Sequence, residues 1–311
     1  MAINFSTFDV DRTLVAPVVY SQLPHRVTET GVLLLQDMVD KLAFFFWSFE
    51  MFLREQEHDC ERQSPLYFRV DAYIHDGVLW ILEVNTAFVD GWGVALNLSR
   101  ASGIKIIEND LDFPIDFATE DDVYLPELEL TVDEINQLRR LKRQVVPFKK
   151  RGLYERSTYV YGHCGNKNRT DIEPYNGVAL DDKRHLAAFS TFWNDTSVRI
   201  PPMYVDQTTP WTDLPEDIVL KFSDKASPLA KSMRESVLFG KPSGKAKFWR
   251  RSYQEGDVIA QKIVEPLKHR GLNSQLVILA IGHTPVAGYV QFSERRIVND
   301  NSIHGPILFE K

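Results

Sequence analysis

The stretch RVDAYIHDGVLWILEVN, residues 69–85, constrains this chain more than any other. Two runs of alternating apolar and polar residues flank an Asp-Gly pair, the strongest short-range signal for a β-hairpin. Phe68, Val70, Ala72 and Ile74 form one apolar quartet, and Val78, Trp80, Leu82 and Val84 form another. The remaining positions include Arg69, Asp71, Glu83 and Asn85, an odd set for a solvated face, which would carry more Lys, Ser and Thr. The turn decides whether the two acids meet. A two-residue turn at Asp76-Gly77 pairs Asp71 with Leu82, sends the acids to opposite faces and splits the apolar quartets. A three-residue loop, His75-Asp76-Gly77 with Gly77 left-handed, pairs Asp71 with Ile81 and Arg69 with Glu83 and leaves one face wholly apolar. The expectation is therefore the three-residue loop.

On that face Asp71, Glu83 and Asn85 supply two carboxylates and an amide oxygen. These are hard oxygen ligands, suited to Mg²⁺ or Mn²⁺ carrying a nucleotide's phosphates. The same residues also describe a half-solvated hairpin with an Arg69–Glu83 cross-strand pair.

The whole chain sets looser bounds. Its 311 residues are enough for two or three subdomains with real cores. A net charge of −7 argues against general nucleic-acid binding. Cys60 and Cys164 are the only cysteines, which fits a reducing compartment and no disulfide scaffold. The start of the chain lacks a basic-then-apolar signal pattern. The most apolar run, AFFFWSFEMFL, is short and lies among Asp37, Asp40, Lys41 and Glu50, so no membrane span is expected. The expectation is a cytoplasmic protein with no membrane partner; the sequence leaves its oligomeric state open.

Other elements are legible from periodicity. Residues 31–56 read as a long, mostly buried amphipathic helix. TVDEINQLRRLKRQ opens on a Thr131/Glu134 cap and reads as an exposed helix, its basic residues as a solvated face. LDDKRHLAAFSTFWND is a further helix candidate, followed by a Pro-rich connector through residue 216. DIVLKFS and DVIAQKIVEP are strand-like, and QLVILAIGHTPVAGYVQFS is strand–turn–strand. GHCGNKN places Cys164 beside His163, but sequence adjacency does not orient a base for a thiol, and the loop is not taken as catalytic.

Taken in order, DDKRHLAAF, IPP, LPEDIVLKFS, GDVIAQKIVEP and LVILAIGHTPVAGYVQFSERRIVNDNSIHGP resemble the ATP-grasp superfamily, especially its glutathione synthetase type. In that family an "RvD … vlEvN" hairpin comes last, whereas here FRVDAYIHDGVLWILEVN comes near the front. The resemblance therefore implies a circularly permuted α+β (α/β) ATP-grasp fold, with two α+β subdomains sandwiching ATP and a substrate-side α/β region. The implied organisation is a metal-binding subdomain over 1–95 completed by 266–311, a substrate-side region over 96–200, and a lid subdomain with its hinge over 201–265.

Residue roles follow from the same resemblance. Lys221 is implied to reach the nucleotide phosphates as a point charge. Gln261, Lys262, Ile263 and Val264 match the hinge that reads adenine, and Glu265 matches the acid that holds the ribose. Either Gln261 or Lys262 carries the second polar contact. Lys241 and Lys245, in GKPSGKAK, would fold over the triphosphate; a solvated basic loop is the plainer reading. Gln291 stands where such proteins often have Arg, which leaves Arg295 or Arg296 to contact the transferred phosphate. Asn299 and Asn301 match the following Asn. Arg69, Asp90 and Trp92 are substrate candidates beside the metal set of Asp71, Glu83 and Asn85.

The implied activity is ATP-dependent ligation of a small-molecule carboxylate to an amine, or less often a thiol, through an acyl phosphate with Mg²⁺ or Mn²⁺. The alternatives are an ATP-grasp phosphotransferase and a non-catalytic nucleotide-binding assembly protein.

Overall fold

The structure, a computed structural model, describes residues 5–9, 26–27, 30–56, 66–86, 122–123, 144–145, 180–224, 237–242, 246–296 and 302–309. The helix expected near residue 134, the Cys164 loop, and Asp90, Trp92, Lys245, Asn299 and Asn301 lie outside these residues. The chain begins with β1 (Phe5–Asp9), β2 (Arg26–Val27), β3 (Thr30–Leu34), helix α1 (Gln36–Gln56) and the hairpin β4 (Tyr67–His75) and β5 (Val78–Asn85). A two-stranded piece, β6 (Asp122–Val123) with β7 (Gln144–Val145), precedes α2 (Lys183–Phe189), β8 (Val198–Arg199) and β9 (Met203–Tyr204). Then come a 3₁₀ turn at Trp211–Asp213, β10 (Ile218–Phe222), β11 (Val237–Phe239), α3 (Ala246–Gln254) and β12 (Val258–Lys262). The last elements are β13 (Lys268–His269), β14 (Leu272–Ile281), β15 (Thr284–Ser293) and β16 (Ile303–Phe309).

These strands make a mixed α+β architecture. The large sheet runs β1-β3-β16-β15-β14-β4-β5-β8, so the C-terminal strands lie between β3 and the hairpin. Most pairings are antiparallel; β16–β3 and β5–β8 are parallel. A smaller antiparallel sheet, β11-β10-β12-β9, stands apart from it. No helix among the described residues is long and apolar enough to cross a membrane.

Residues 31–56 do not form one helix. Thr30–Leu34 is a strand, because Val32 and Leu34 alternate into the core and its backbone pairs with both β1 and β16. The helix proper starts at Gln36. It buries Met38, Leu42, Phe45, Phe46, Phe49 and Leu53, a helical stripe packed on Phe68, Ile278 and Phe292 of the large sheet. Burying each Phe or Leu contributes roughly 1.5–3 kcal/mol, so this stripe holds one face of the sheet shut. The small sheet has its own core, in which Trp249 and Tyr253 of α3 pack with Leu220, Phe222 and Val258.

The hairpin turn differs from the expectation. It is the two-residue turn, with Asp76 at φ 49° and Gly77 at φ 73°, and His75 pairs with Val78. Two left-handed residues make the turn whose twist matches the strands. The predicted clash of faces is relieved by a bulge. Ala72 pairs with Ile81 but Asp71 pairs with Glu83, so Leu82 is an extra residue in β5. Leu79, Ile81 and Val84, at 0%, 0% and 8% exposure, face the core in place of the expected Trp80 and Leu82, while Val78 packs against its margin. The bulge also changes the partners: Arg69 stands opposite Asn85 and not Glu83.

Candidate functional site

A cleft of about 300 Å³ lies between the two sheets. Its floor is the large sheet, with Asp71, Tyr73, Leu82, Glu83, Gln275 and Arg296. Its roof is the small sheet and the segment after it, with Val219, Lys221, Val237, Phe239 and residues 261–264. The register explains the floor. Asp71 and Glu83 are directly opposed on the face away from α1, and Tyr73 follows Asp71 on that face. Apolar and charged side chains share this lining: Val219, Val237, Phe239, Ile263 and Val264 stand among the charged groups, Val237 directly opposite Lys221 and Phe239 under the Arg296 guanidinium.

Each acid has a cationic neighbour. Arg69 Nε donates to Asp71 Oδ1 at 3.0 Å, and Lys183 Nζ lies 3.7 Å from Glu83 Oε1. The expected Arg69–Glu83 pair is thus replaced by two separate pairs. Lys183 is brought to Glu83 by α2, whose Asp182 cap accepts from the Arg184 N–H at 2.8 Å. Burial works against the Asp182 anion, yet the bonds from Arg184 outweigh it and hold its carboxyl below the ordinary range. Asn85, 2% exposed, occupies the next same-face position beyond Glu83 and does not line the cleft. Among the described residues no three His, Cys, Asp or Glu side chains group as a metal cage. Two carboxylates facing a lysine nonetheless fit Mg²⁺, which is typically held by one or two protein carboxylates plus substrate phosphates and waters.

Lys221, 8% exposed, and Gln261, 1% exposed, both reach across from the small sheet. Lys221 Nζ and Gln261 Nε2 each donate to the carbonyl of Leu82 at 3.1 Å. The hinge backbone is partly engaged: the N–H groups of Lys262 and Ile263 donate to Pro202 and Asp217 carbonyls at 2.8 and 2.9 Å. The Lys262 side chain is half exposed and lies 3.9 Å from Asp217.

Of the two arginine candidates, Arg296 lines the cleft and Arg295 does not. The Arg296 guanidinium pairs with Glu265 and sits 5.0 Å over the Phe239 ring. Glu265, implied to hold ribose, is therefore tied to Arg296 beside the cleft, outside its lining. Lys241 also lies outside the lining and pairs with Glu216 at 3.5 Å. Gln291, where the resemblance implies Arg, is buried and bonded to His304 at 3.1 Å.

Tyr73, Gln275 and the apolar wall of Val219, Val237 and Phe239 were not anticipated as site residues. The alternation already set Tyr73 on the polar face, but no motif marks it. Burial, then the Asp71 charge, pushes its hydroxyl up to about 12, although Arg296 pulls the other way. That hydroxyl donates to the Arg296 carbonyl at 3.1 Å.

No family model matches this sequence, and no curated protein matches it significantly. A solved structure from Methylobacillus flagellatus KT, named "Putative gamma-glutamylcysteine synthetase", is similar at 13% identity and a TM-score of 0.33, covering 86% of this chain and 85% of that one. A likeness of that size shows neither a shared fold nor a shared activity.

Proposed function

We propose that the cleft binds ATP with a divalent cation, and that the protein is an ATP-dependent carboxylate–amine or carboxylate–thiol ligase of the ATP-grasp kind. The observation that carries this reading is the directly opposed pair Asp71 and Glu83, facing Lys221 across a cleft that also carries apolar side chains. A triphosphate needs the first of these and a purine the second. With Lys262 and Ile263 N–H groups engaged elsewhere, the adenine contact falls to Val264. Phe239, Val219 and Val237 would pack the ring. Lys221 and Arg296 would neutralise charge on the transferred phosphate.

In the reaction, a carboxylate oxygen of the first substrate attacks the γ-phosphorus and ADP leaves, giving an acyl phosphate. The amine nitrogen, or a thiol sulfur, then bonds to the acyl carbon. Phosphate departs with the carbon–oxygen bond, and the nucleophile's proton passes to solvent or a nearby base. The cation, when bound to Asp71 and Glu83, supplies charge neutralisation at the β- and γ-phosphates. Closing the small sheet over the cleft would exclude water, which otherwise hydrolyses the acyl phosphate.

A second reading, a phosphotransferase without an amine step, is favoured by one observation. Gln291 is neutral and committed to His304 where a ligase of this type often places a cation.

The test is incubation with ATP, Mg²⁺ and pooled carboxylates and amines, read by mass spectrometry, for wild type and Glu83→Gln. Wild type should give ADP, phosphate and an amide; a phosphorylated product without amide would favour the second reading. Glu83→Gln should lose about 10²–10³ in rate, the usual cost of removing preorganised charge stabilisation. Lys183, with 9% side-chain exposure, then loses this partner, so some fall in Tm is also expected. The deciding readout is therefore the extra Tm conferred by Mg·ATP, large for wild type and small for the variant. Wild-type turnover and wild-type Mg·ATP protection in Glu83→Gln would reduce the acid pair to an ordinary salt-bridged hairpin.

A further inference from the structure

Leu82 is the extra residue of the β5 bulge, and no β4 residue stands opposite it. A bulged peptide lacks the cross-strand ladder that normally fixes the direction of its carbonyl. Here the small sheet supplies that direction. Gln261 stands opposite Val219 in the β12–β10 register, so it shares a face with Lys221, two residues further along β10. Both side chains descend from that face onto one oxygen, each at 3.1 Å, and a carbonyl oxygen has two lone pairs to receive them. Gln261 is 1% exposed, so its amide has no water to fall back on, and abandoning Leu82 would leave a buried donor unsatisfied.

We propose that Gln261 is a positioning residue: it fixes the bulged Leu82 carbonyl on which the Lys221 ammonium is seated, and so sets where that charge meets the phosphates. The proposal rests on the nucleotide reading of the cleft. An ammonium has three N–H donors. One is held by Leu82, and that bond restrains the direction of the head group. If the Leu82 peptide turned, Lys221 would keep its charge and lose its aim. The proposal also removes Gln261 from the adenine contact, because its amide is already committed to the opposite sheet.

Binding of Mg·ATP and of adenosine, measured by calorimetry, separates the possibilities. Adenosine has the base and ribose but no phosphate for Lys221 to meet. Gln261→Leu should weaken Mg·ATP on the order of tenfold, the worth of one charged hydrogen bond lost, and leave adenosine within about twofold. Gln261→Glu, of the same size, cannot donate to Leu82 and draws the ammonium to itself, so it should weaken Mg·ATP further with adenosine again unchanged. If the leucine variant fails to fold, the glutamate variant carries the comparison. In a Lys221→Ala background Gln261→Leu should not weaken Mg·ATP again, since a residue acting through Lys221 has nothing left to position. Parallel loss of adenosine and Mg·ATP, or an additive loss when Gln261→Leu is combined with Lys221→Ala, would overturn the proposal and leave the nucleotide reading standing. A wild type that binds neither probe would overturn both.

Discussion

Tyr73 shows how a residue with no motif acquires a role from its surroundings. Its ring fills the floor of the cleft beside Asp71, and its hydroxyl donates to the carbonyl of Arg296, 223 residues away in sequence. Burial and the neighbouring carboxylate disfavour the phenolate and raise its pKa from 10.0 to about 12. The sign follows directly. A group whose folded pKa is raised contributes stability that is fully present below pH 10 and is lost as pH rises towards 12. The two-unit shift corresponds to at most roughly 2–3 kcal/mol. Tyr73→Phe should therefore flatten the alkaline limb of the stability curve while costing about 0.5–1.5 kcal/mol near neutrality for the lost hydrogen bond. Chemical denaturation across the alkaline range, with phenolate absorbance as the titration signal, measures both. An alkaline limb identical to wild type would mean that Tyr73 ionises as an ordinary surface tyrosine. The acids were legible as residues from the alternation of the hairpin, but their shared face, expected from a three-residue loop, comes instead from a two-residue turn with a bulge. Their partners were not legible: Lys183 lies 100 positions from Glu83 in the numbering and reaches it only through packing of α2.

At the scale of elements, the strands around the cleft, at residues 218–222, 258–262, 272–281 and 284–293, overlap the runs the sequence patterns marked, although β12 stops at Lys262, short of Pro266, and β14 begins before Gln275. Runs of β-branched and apolar residues bounded by Gly, Pro or Asp suffice to mark a buried strand. The turn was harder, because turn length and bulge are coupled. A favourable Asp-Gly turn and a correct core face together require an extra residue somewhere, and nothing local to Leu82 announces that it is the one. Gly288 makes a comparable point about strand packing. A Cβ placed there would come within 2.6 Å of the Val277 carbonyl and 3.3 Å of Ile307 Cδ1, one backbone and one core side chain. The carbonyl cannot yield without moving β14, whereas the Ile307 methyl need shift only slightly. Gly288→Ala should cost about 1–3 kcal/mol, as overpacking of a closed core does. Urea unfolding gives the number, and a change below about 0.5 kcal/mol, the size of an ordinary surface substitution, would mean that the sheet is looser here than the contacts imply.

For the whole molecule the decisive feature is that chain order and sheet order differ. β16 lies between β3 and β15, so the last described strand holds the first ones to the rest of the sheet. Ile307 on β16 is fully buried in the core that also holds α1. Truncation before Ile303 should therefore remove an interior strand and abolish the cooperative thermal transition, because it would leave two new sheet edges and an open core. A truncated chain that still melts in one sharp transition near the wild-type temperature would show that β16 is dispensable. Local pattern alone determined much of this protein: the strands, the helical stripe of α1, and the presence of two acids and an amide within one hairpin. Alternation and helical periodicity are properties of consecutive residues, so a linear chain displays them. Only the tertiary structure decided that Leu82 is bulged, that Lys221 and Gln261 meet its carbonyl, that Arg296 enters the cleft while Arg295 does not, and that Phe239 lies under Arg296 in the lining. Those contacts join residues far apart in sequence. They depend on how two sheets dock, and docking is set by the summed burial of both cores, which no single stretch of the chain encodes.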